Sequence, residues 1–257
     1  MSEQPLLSVA IITFNEERNL ARTLQALDGL ADEIIIVDSF STDATREIAE
    51  QNGAIVYSEE WKGHIAQKNS ALEKCRGVWI LSLDADEVLT PELYSEIKAH
   101  ITTDSRNRAS VNRRTVYCGS ILRRAWQPDV KLRLVRRDSN PTWGGYNPHD
   151  VLFADGTPVK LRGELLHYSY RDVRDHWQKT IFYARATAES YAALGRKASA
   201  LTIIANPIFS FLKNYLIRGW FVDGVPGLIA GASAAVYVFL KYTFLWEITR
   251  NQEQSAE

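Results

Sequence analysis

Residues 79–89 read WILSLDADEVL: an apolar run that stops abruptly at three acids, Asp84, Asp86 and Glu87. A run without polar alternation suits a strand covered on both faces, which is how strands of a parallel sheet are composed. Carboxylates crowded at the mouth of such a strand repel one another, so something cationic has to join them. The fold follows from what precedes this strand, and the chemistry from what that cation is.

Working outward, three similar runs come first: LLSVAIITF (6–14), EIIIVDS (33–39) and AIVYSE (54–59), with VWILSLD (78–84) as the fourth. Helical stretches separate them. NEERNLARTLQAL sets Leu20, Leu24 and Leu27 on one face. STDATREIAEQNG opens with the capping residues Ser41, Thr42 and Asp43 and closes on Gly53. HIAQKNSALEKCRG repeats the pattern with Ile65, Ala66, Leu72 and Cys75. TPELYSEIKAHI begins with Thr90 as a cap and Pro91 at the first helical position. This alternation predicts an α/β fold with a parallel core sheet and right-handed crossovers.

In such a sheet, ligands bind beyond the carboxyl ends of the strands, where strand order reverses. The polar residues at those ends are Thr13, Asn15 and Glu16, then Asp38, then Asp84 and Asp86. The first strand–helix turn, TFNEE, has no glycine, so it is not a dinucleotide-binding turn. Its acids would repel bare phosphate. A divalent cation, Mg²⁺ or Mn²⁺, resolves both problems, since carboxylate oxygens suit it and it neutralises a diphosphate.

Charge is unevenly placed. The net charge of the 257 residues is −1, yet residues 1–100 carry 18 Asp/Glu against 8 Lys/Arg. Residues 106–137 carry ten Lys/Arg and one acid, Asp129. That asymmetry predicts an anionic ligand near the basic segment, the alternative being a solvated basic face. No nucleic-acid recognition motif accompanies it, so nucleic acid is not an expected partner. Cys75 and Cys118 are too few for a disulfide framework and fit a reducing compartment. The N-terminus lacks a basic n-region and turns acidic after one strand-length run, unlike a signal peptide.

Beyond residue 106 come short strands and turns, including the turn-rich NPTWGGYNPHD (140–150), and from about 171 the chain becomes helical and then apolar. LTIIANPIFSFL (201–212) and VPGLIAGASAAVYVFL (225–240) are interrupted by Pro207, Arg218, Asp223 and Pro226. The second run counts 16 residues between Gly224 and Lys241, short of the roughly 20 a membrane span needs. Interfacial helices are the expectation, with Trp220, Tyr237, Tyr242 and Trp246 suited to the headgroup zone. Helices that cover the sheet or form a dimer contact are the alternative. Three regions are therefore expected: the alternating strands and helices of 1–105, the short strands and turns of 106–175, and a helical membrane-associating region (176–257).

SVAIITFNEE, VDSFSTDAT, HIAQKNSAL and LSLDADE closely resemble the family 2 glycosyltransferases. The resemblance implies the GT-A fold, a Rossmann-like parallel-core sheet with 1–105 as its nucleotide-sugar-binding half and 106–175 as its acceptor-binding and catalytic half, and inverting transfer of a sugar from a nucleotide donor, usually a UDP-sugar. By that likeness Thr13, Asn15 and Glu16 would border the uridine, and Asp38 would accept from uracil or ribose. Lys68, with Gln67 and Asn69, would face the nucleotide; Asp84 would contact the ribose side and Asp86 would ligate the metal. KLRLVRRD, WGGYNPHD, LLHYSYR and DGVPGL…LKYTFLWE extend the resemblance to a narrower group, the bacterial lipopolysaccharide core β-1,4-glucosyltransferases. These place glucose on an inner-core heptose.

Inverting transfer needs one general base to deprotonate the attacking hydroxyl. Asp150 is the candidate, because related enzymes place an acid after this His; Glu is frequent there and this chain has Asp. His149 could orient that acid or be the base itself, and a turn-capping Asp beside a packing His is the alternative. His167 is implied as a late ligand to the metal or diphosphate, though a lone His is more often structural. Lys131, Arg133 and Arg136 lie in a strand-like segment suited to an anionic, lipid-linked glycan acceptor or to anionic headgroups.

The expectation is a metal-dependent inverting hexosyltransferase, peripheral on the cytoplasmic face of a bacterial inner membrane. It would move glucose from UDP-glucose onto inner-core heptose. Rival readings change the acceptor to polyprenyl phosphate or another envelope glycan, or make the chain a non-catalytic sugar-nucleotide-binding module. A nucleotidyltransferase should show a Gly/Arg/Lys-rich loop after its first strand, and TFNEE is the opposite.

Overall fold

Near-continuous Val, Ile and Leu runs form strands where the pattern requires them. A computed structural model describes residues 4–103, 106–146 and 149–254, without the side chains of Tyr146, His149 and Glu253. The elements are β1 (Leu7–Thr13), α1 (Glu17–Gln25), β2 (Glu33–Asp38), α2 (Thr45–Gln51), β3 (Ile55–Ser58), α3 (His64–Lys74) and β4 (Trp79–Asp84). Then follow β5 (Glu87–Leu89), α4 (Pro91–Thr103), β6 (Arg108–Tyr117), β7 (Ser120–Ile121), β8 (Val130–Arg136), β9 (Thr142–Tyr146), β10 (His149–Phe153) and β11 (Pro158–His167). Three long helices end the chain: α5 (Val173–Ala193), α6 (Ala200–Leu212) and α7 (Gly224–Gln254).

The main sheet runs β3-β2-β1-β4-β8-β6-β11-β5, with β7 beside β6; β9 and β10 pair separately. β1, β2, β3 and β4 are parallel, and β8 joins β4 antiparallel. Strand order reverses between β1 and β4, and the register sets Thr13 beside Asp38 and Ile12 beside Asp84. The polar ends of the three strands therefore share one edge, at the switch point where such sheets take ligands.

Alternation within the strands supplies two cores. Val9, Ile11, Ile36, Leu81 and Leu83 meet Leu20 and Leu24 of α1 and Leu93 and Ile97 of α4 on one face. Ala10, Ile35, Val37 and Ile80 meet Ala71, Leu72 and Cys75 of α3 on the other. Each fully buried Ile or Leu contributes about 1.5–3 kcal/mol. Gly163 lets α4 lie close on β11: a Cβ there would sit 2.4 Å from the Leu93 backbone. Thr90 caps that helix as expected, accepting from Leu93 N at 3.3 Å while donating to Glu164 O at 2.9 Å.

The chain divides into two units, 1–114 with 128–168, and 115–127 with 169–257. β8, β11 and most of β6 complete the same sheet as β1–β4, so residues on either side of 105 belong to one sheet.

The second unit is helical. Asp223 accepts from the backbone N–H groups of Arg123, Arg124 and Ala125 at 2.7, 2.9 and 2.7 Å, a nest of amides around one carboxylate. Buried His176 bridges Tyr117 Oη and Ser233 Oγ, each at 2.8 Å. Thr180 Oγ1 lies 3.0 Å from the same serine, which ties α5 to α7. Burial pushes the His176 imidazole down to about 4. Pro207 lies inside α6, a π turn follows at Lys213–Ile217, and Trp220–Asp223 forms a 3₁₀ turn before α7.

Candidate active site

The turns after β1 and β2 interlock. Thr13 Oγ1 donates to Asp38 Oδ1 at 2.8 Å, and Ser41 donates to the same carboxylate from its amide at 2.9 Å and its hydroxyl at 2.5 Å. Asn15, in the left-handed region at φ 55°, donates its N–H to Ser41 Oγ and accepts from Thr42 N, both at 2.8 Å. Glu16 N donates to Thr45 Oγ1 at 2.7 Å, and Glu16 Oε2 accepts from Asn19. Asp38, which the resemblance implies would accept from uracil or ribose, is fully buried and accepts from Thr13 and Ser41. It fixes the floor of the crevice.

The cations that join the acids of 79–89 come from the protein itself. Lys68 of α3 places Nζ 2.7 Å from Asp84 Oδ1 and 2.7 Å from Asp150 Oδ2. Arg133 of β8 donates to Asp84 Oδ2 at 3.0 Å and to Glu87 Oε1 at 2.6 Å. Arg113 of β6 adds a contact to Glu87 at 3.1 Å and holds Asp129 at 2.7 Å. Glu87 is fully buried and also accepts from Asp84 N.

Electrostatics follow from this packing. Burial disfavours the Asp84 carboxylate, but Lys68, Arg133 and Arg113 hold it well below the usual carboxylate range. Burial likewise opposes ionisation of Asp150, and Lys68 overrides it, so the group is depressed and ionised at neutral pH. Lys68 is raised: burial and Arg133 oppose its charge, while Asp84 and Asp150 more than offset them. Trp143 lines the ammonium, its ring centroid 4.2 Å from Nζ. Asn69 and Trp143 exchange two bonds, Asn69 Nδ2 to Trp143 O and Trp143 N to Asn69 Oδ1, which clamp β9 to α3. Asn69 is thus a positioning group for the hairpin that carries Asp150.

Asp86 is free of that cluster and meets a different partner. β11 runs antiparallel to β5 with His167 opposite Glu87, and this delivers His167 Nε2 to 3.3 Å from Asp86 Oδ2. Tyr168 N donates to Asp86 O at 2.9 Å and fixes the turn. Both side chains are partly exposed. Among the described residues no third His, Cys, Asp or Glu joins them to complete a metal cluster. One carboxylate and one imidazole suit a divalent ion that completes its coordination with diphosphate oxygens and water. The donor set fits such an ion.

The expected acceptor cations do not converge. Arg133 is 3% exposed and donates to Asp84 and Glu87. Arg136 pairs with Asp138 and lies opposite Trp79 at the start of β4, about 17 Å of strand from Asp84. Lys131 is half-exposed beside Asp129 at 3.1 Å. The side chain of His149 lies outside the described residues. Arg113 and Trp143 were not singled out from sequence, and Glu87 only as one of the three acids that end the run at 79–89; the excess of cations over residues 106–137, set against the acids of 1–100, was the available signal.

Residues 8–151 match the model of the family described as "Glycosyl transferase family 2". The chain is 32% identical over 255 residues to an uncharacterized glycosyltransferase of Rickettsia typhi, covering 95% of this chain and 87% of that one. It is 31% identical over 248 residues to the lipopolysaccharide core biosynthesis glycosyltransferase LpsC of Rhizobium meliloti, covering 91% and 89%. Among solved structures, the mannosyltransferase PcManGT from Pyrobaculum calidifontis, in complex with GDP-Man and Mn²⁺, shares the fold. Its TM-score is 0.51 at 15% identity, with 100% of this chain and 89% of that one covered.

Proposed function

Because the chain belongs to the family 2 glycosyltransferases, we propose that it moves a hexose, glucose from UDP-glucose, with inversion onto the inner-core heptose of lipopolysaccharide. The acceptor class is supported by the similarity to LpsC. The observation that carries the chemistry is the meeting of Asp150 with Lys68 and Asp84 at the edge where β1 and β4 part, two residues from the Asp86–His167 pair.

Asp150 is the base. It takes the proton of the acceptor hydroxyl while that oxygen attacks the anomeric carbon from the face opposite the departing nucleoside diphosphate. Lys68 keeps the carboxylate ionised and aimed, and its ammonium is the nearest protein cation to both acids. Asp86 and His167 would hold a divalent ion, which when bound neutralises the charge of the diphosphate. The acceptor is lipid-linked and anionic, so the enzyme works at the cytoplasmic face of the membrane, with Lys131 on the acceptor side.

The test is transfer of label from UDP-glucose to heptose-bearing lipid A core, with polyprenyl phosphate offered in parallel. Labelled core supports the reading. Labelled polyprenyl phosphate alone replaces the acceptor, and binding of UDP with no transfer to either would make the chain a sugar-nucleotide-binding module.

A further inference from the structure

α6 and the π turn after it are built inside out. Ile204, Ile208, Leu212 and Leu216 recur every four residues, and Thr202, Asn206, Ser210 and Asn214 recur every four residues two positions earlier. An offset of two residues is about 200° around a helix, so the stripes lie on opposite faces. In water the apolar stripe should face the protein. Here it faces out: Ile204 is 62% and Ile208 58% exposed, and no residue of α6 is fully buried. The polar stripe is the half-buried one. Ser210 Oγ donates to Ala234 O of α7 at 3.4 Å, and Asn214 donates to Ser210 at 3.4 Å.

Charge selects the medium that covers this face. Between Ser190 and Val222 the chain carries Arg196, Lys197, Lys213 and Arg218 and no acid. A protein partner is not needed to explain an apolar stripe flanked only by cations; an anionic bilayer satisfies both features. α7, like α6 long and apolar enough to cross a membrane, is bonded along α5 through Thr180–Ser233 and Thr187–Tyr237. α5 also carries charged, exposed residues such as Arg185 and Glu189, which belong in water.

We infer that α6 lies in the plane of an anionic lipid leaflet, with the Ile204–Ile208–Leu212–Leu216 stripe in the acyl region and the flanking cations among the headgroups. This rests on the reading above that the acceptor is held at a membrane, and it names the surface that meets that membrane.

The experiment uses the full chain and vesicles of phosphatidylethanolamine and phosphatidylglycerol, or of phosphatidylcholine alone, without donor or acceptor. Flotation with the anionic vesicles at least tenfold stronger than with the neutral ones is expected. The I204S/I208S/L212S variant should lose at least tenfold in binding while UDP binding is unchanged. Nitroxides on Ile204→Cys and Leu212→Cys, in a Cys118→Ser background that leaves only the buried Cys75, should report equal depth. Absence of flotation would overturn the inference, as would depths differing by the roughly 12 Å that eight helical residues rise. A dimer that shields both labels from lipid would overturn it too. Loss of sugar transfer with flotation intact counts against the acceptor reading and leaves this one standing.

Discussion

Lys68 and Asp150, 82 residues apart in sequence, meet at 2.7 Å. The contact joins α3 to the β9–β10 hairpin and places a cation between the proposed base and Asp84. Replacing Lys68 with Met leaves two carboxylates facing one another. Asp150 then loses the partner that depresses it and returns toward or above the ordinary carboxylate value near 3.9. The acid limb of kcat/KM should move to higher pH, as read from a pH profile. An unmoved limb would dissociate Lys68 from the base.

Asp150→Asn removes the proton acceptor and keeps the shape. Loss of at least ~10²-fold in kcat is expected from the scale of general-base catalysis, with UDP binding retained. A loss below tenfold would shift the role to His149.

Arg133 distinguishes a structural from a binding role. Arg133→Leu leaves fully buried Glu87 with Arg113 as its remaining cation, and removal of one partner of a buried ion pair costs about 3–5 kcal/mol. Urea unfolding should show that loss. A stable variant with a raised acceptor KM would restore Arg133 to the acceptor site.

His176 links the helical unit to pH. Burial holds its imidazole near 4 in the folded chain, against about 6.5 when unfolded. Between those values the unfolded chain binds the proton and the folded chain does not, so stability falls as pH drops from 6.5 toward 4, by about 3 kcal/mol. Thermal unfolding at pH 7 and pH 5 measures it, and His176→Gln should flatten that part of the profile.

Much of this was legible in the chain. The runs at 6–14, 33–39, 54–59 and 78–84 became β1 to β4 within about a residue at each end, because strands covered on both faces need no partner-specific signal. Thr90–Pro91 and Gly53 marked helix ends for equally local reasons. The convergence of Thr13, Asp38 and Asp84 followed from topology alone. The partners of the acids did not, since Lys68, Arg113 and Arg133 reach them across 16, 29 and 49 positions from Asp84. Alternation along β8 gives Arg133 a face but not the residue across it. Asp38 shows the same limit: a carboxylate at a strand end can serve a ligand or its own turn, and the bonds from Ser41, three residues on, are not written in the strand pattern.

The most direct measurement is calorimetric titration of UDP into the wild-type chain and Asp86→Ala, with and without Mn²⁺. The account predicts UDP binding that strengthens at least tenfold with Mn²⁺ in the wild type and loses that dependence in the folded variant. Equal binding with and without the metal, or an Asp86→Ala chain that keeps the full metal effect, would contradict it.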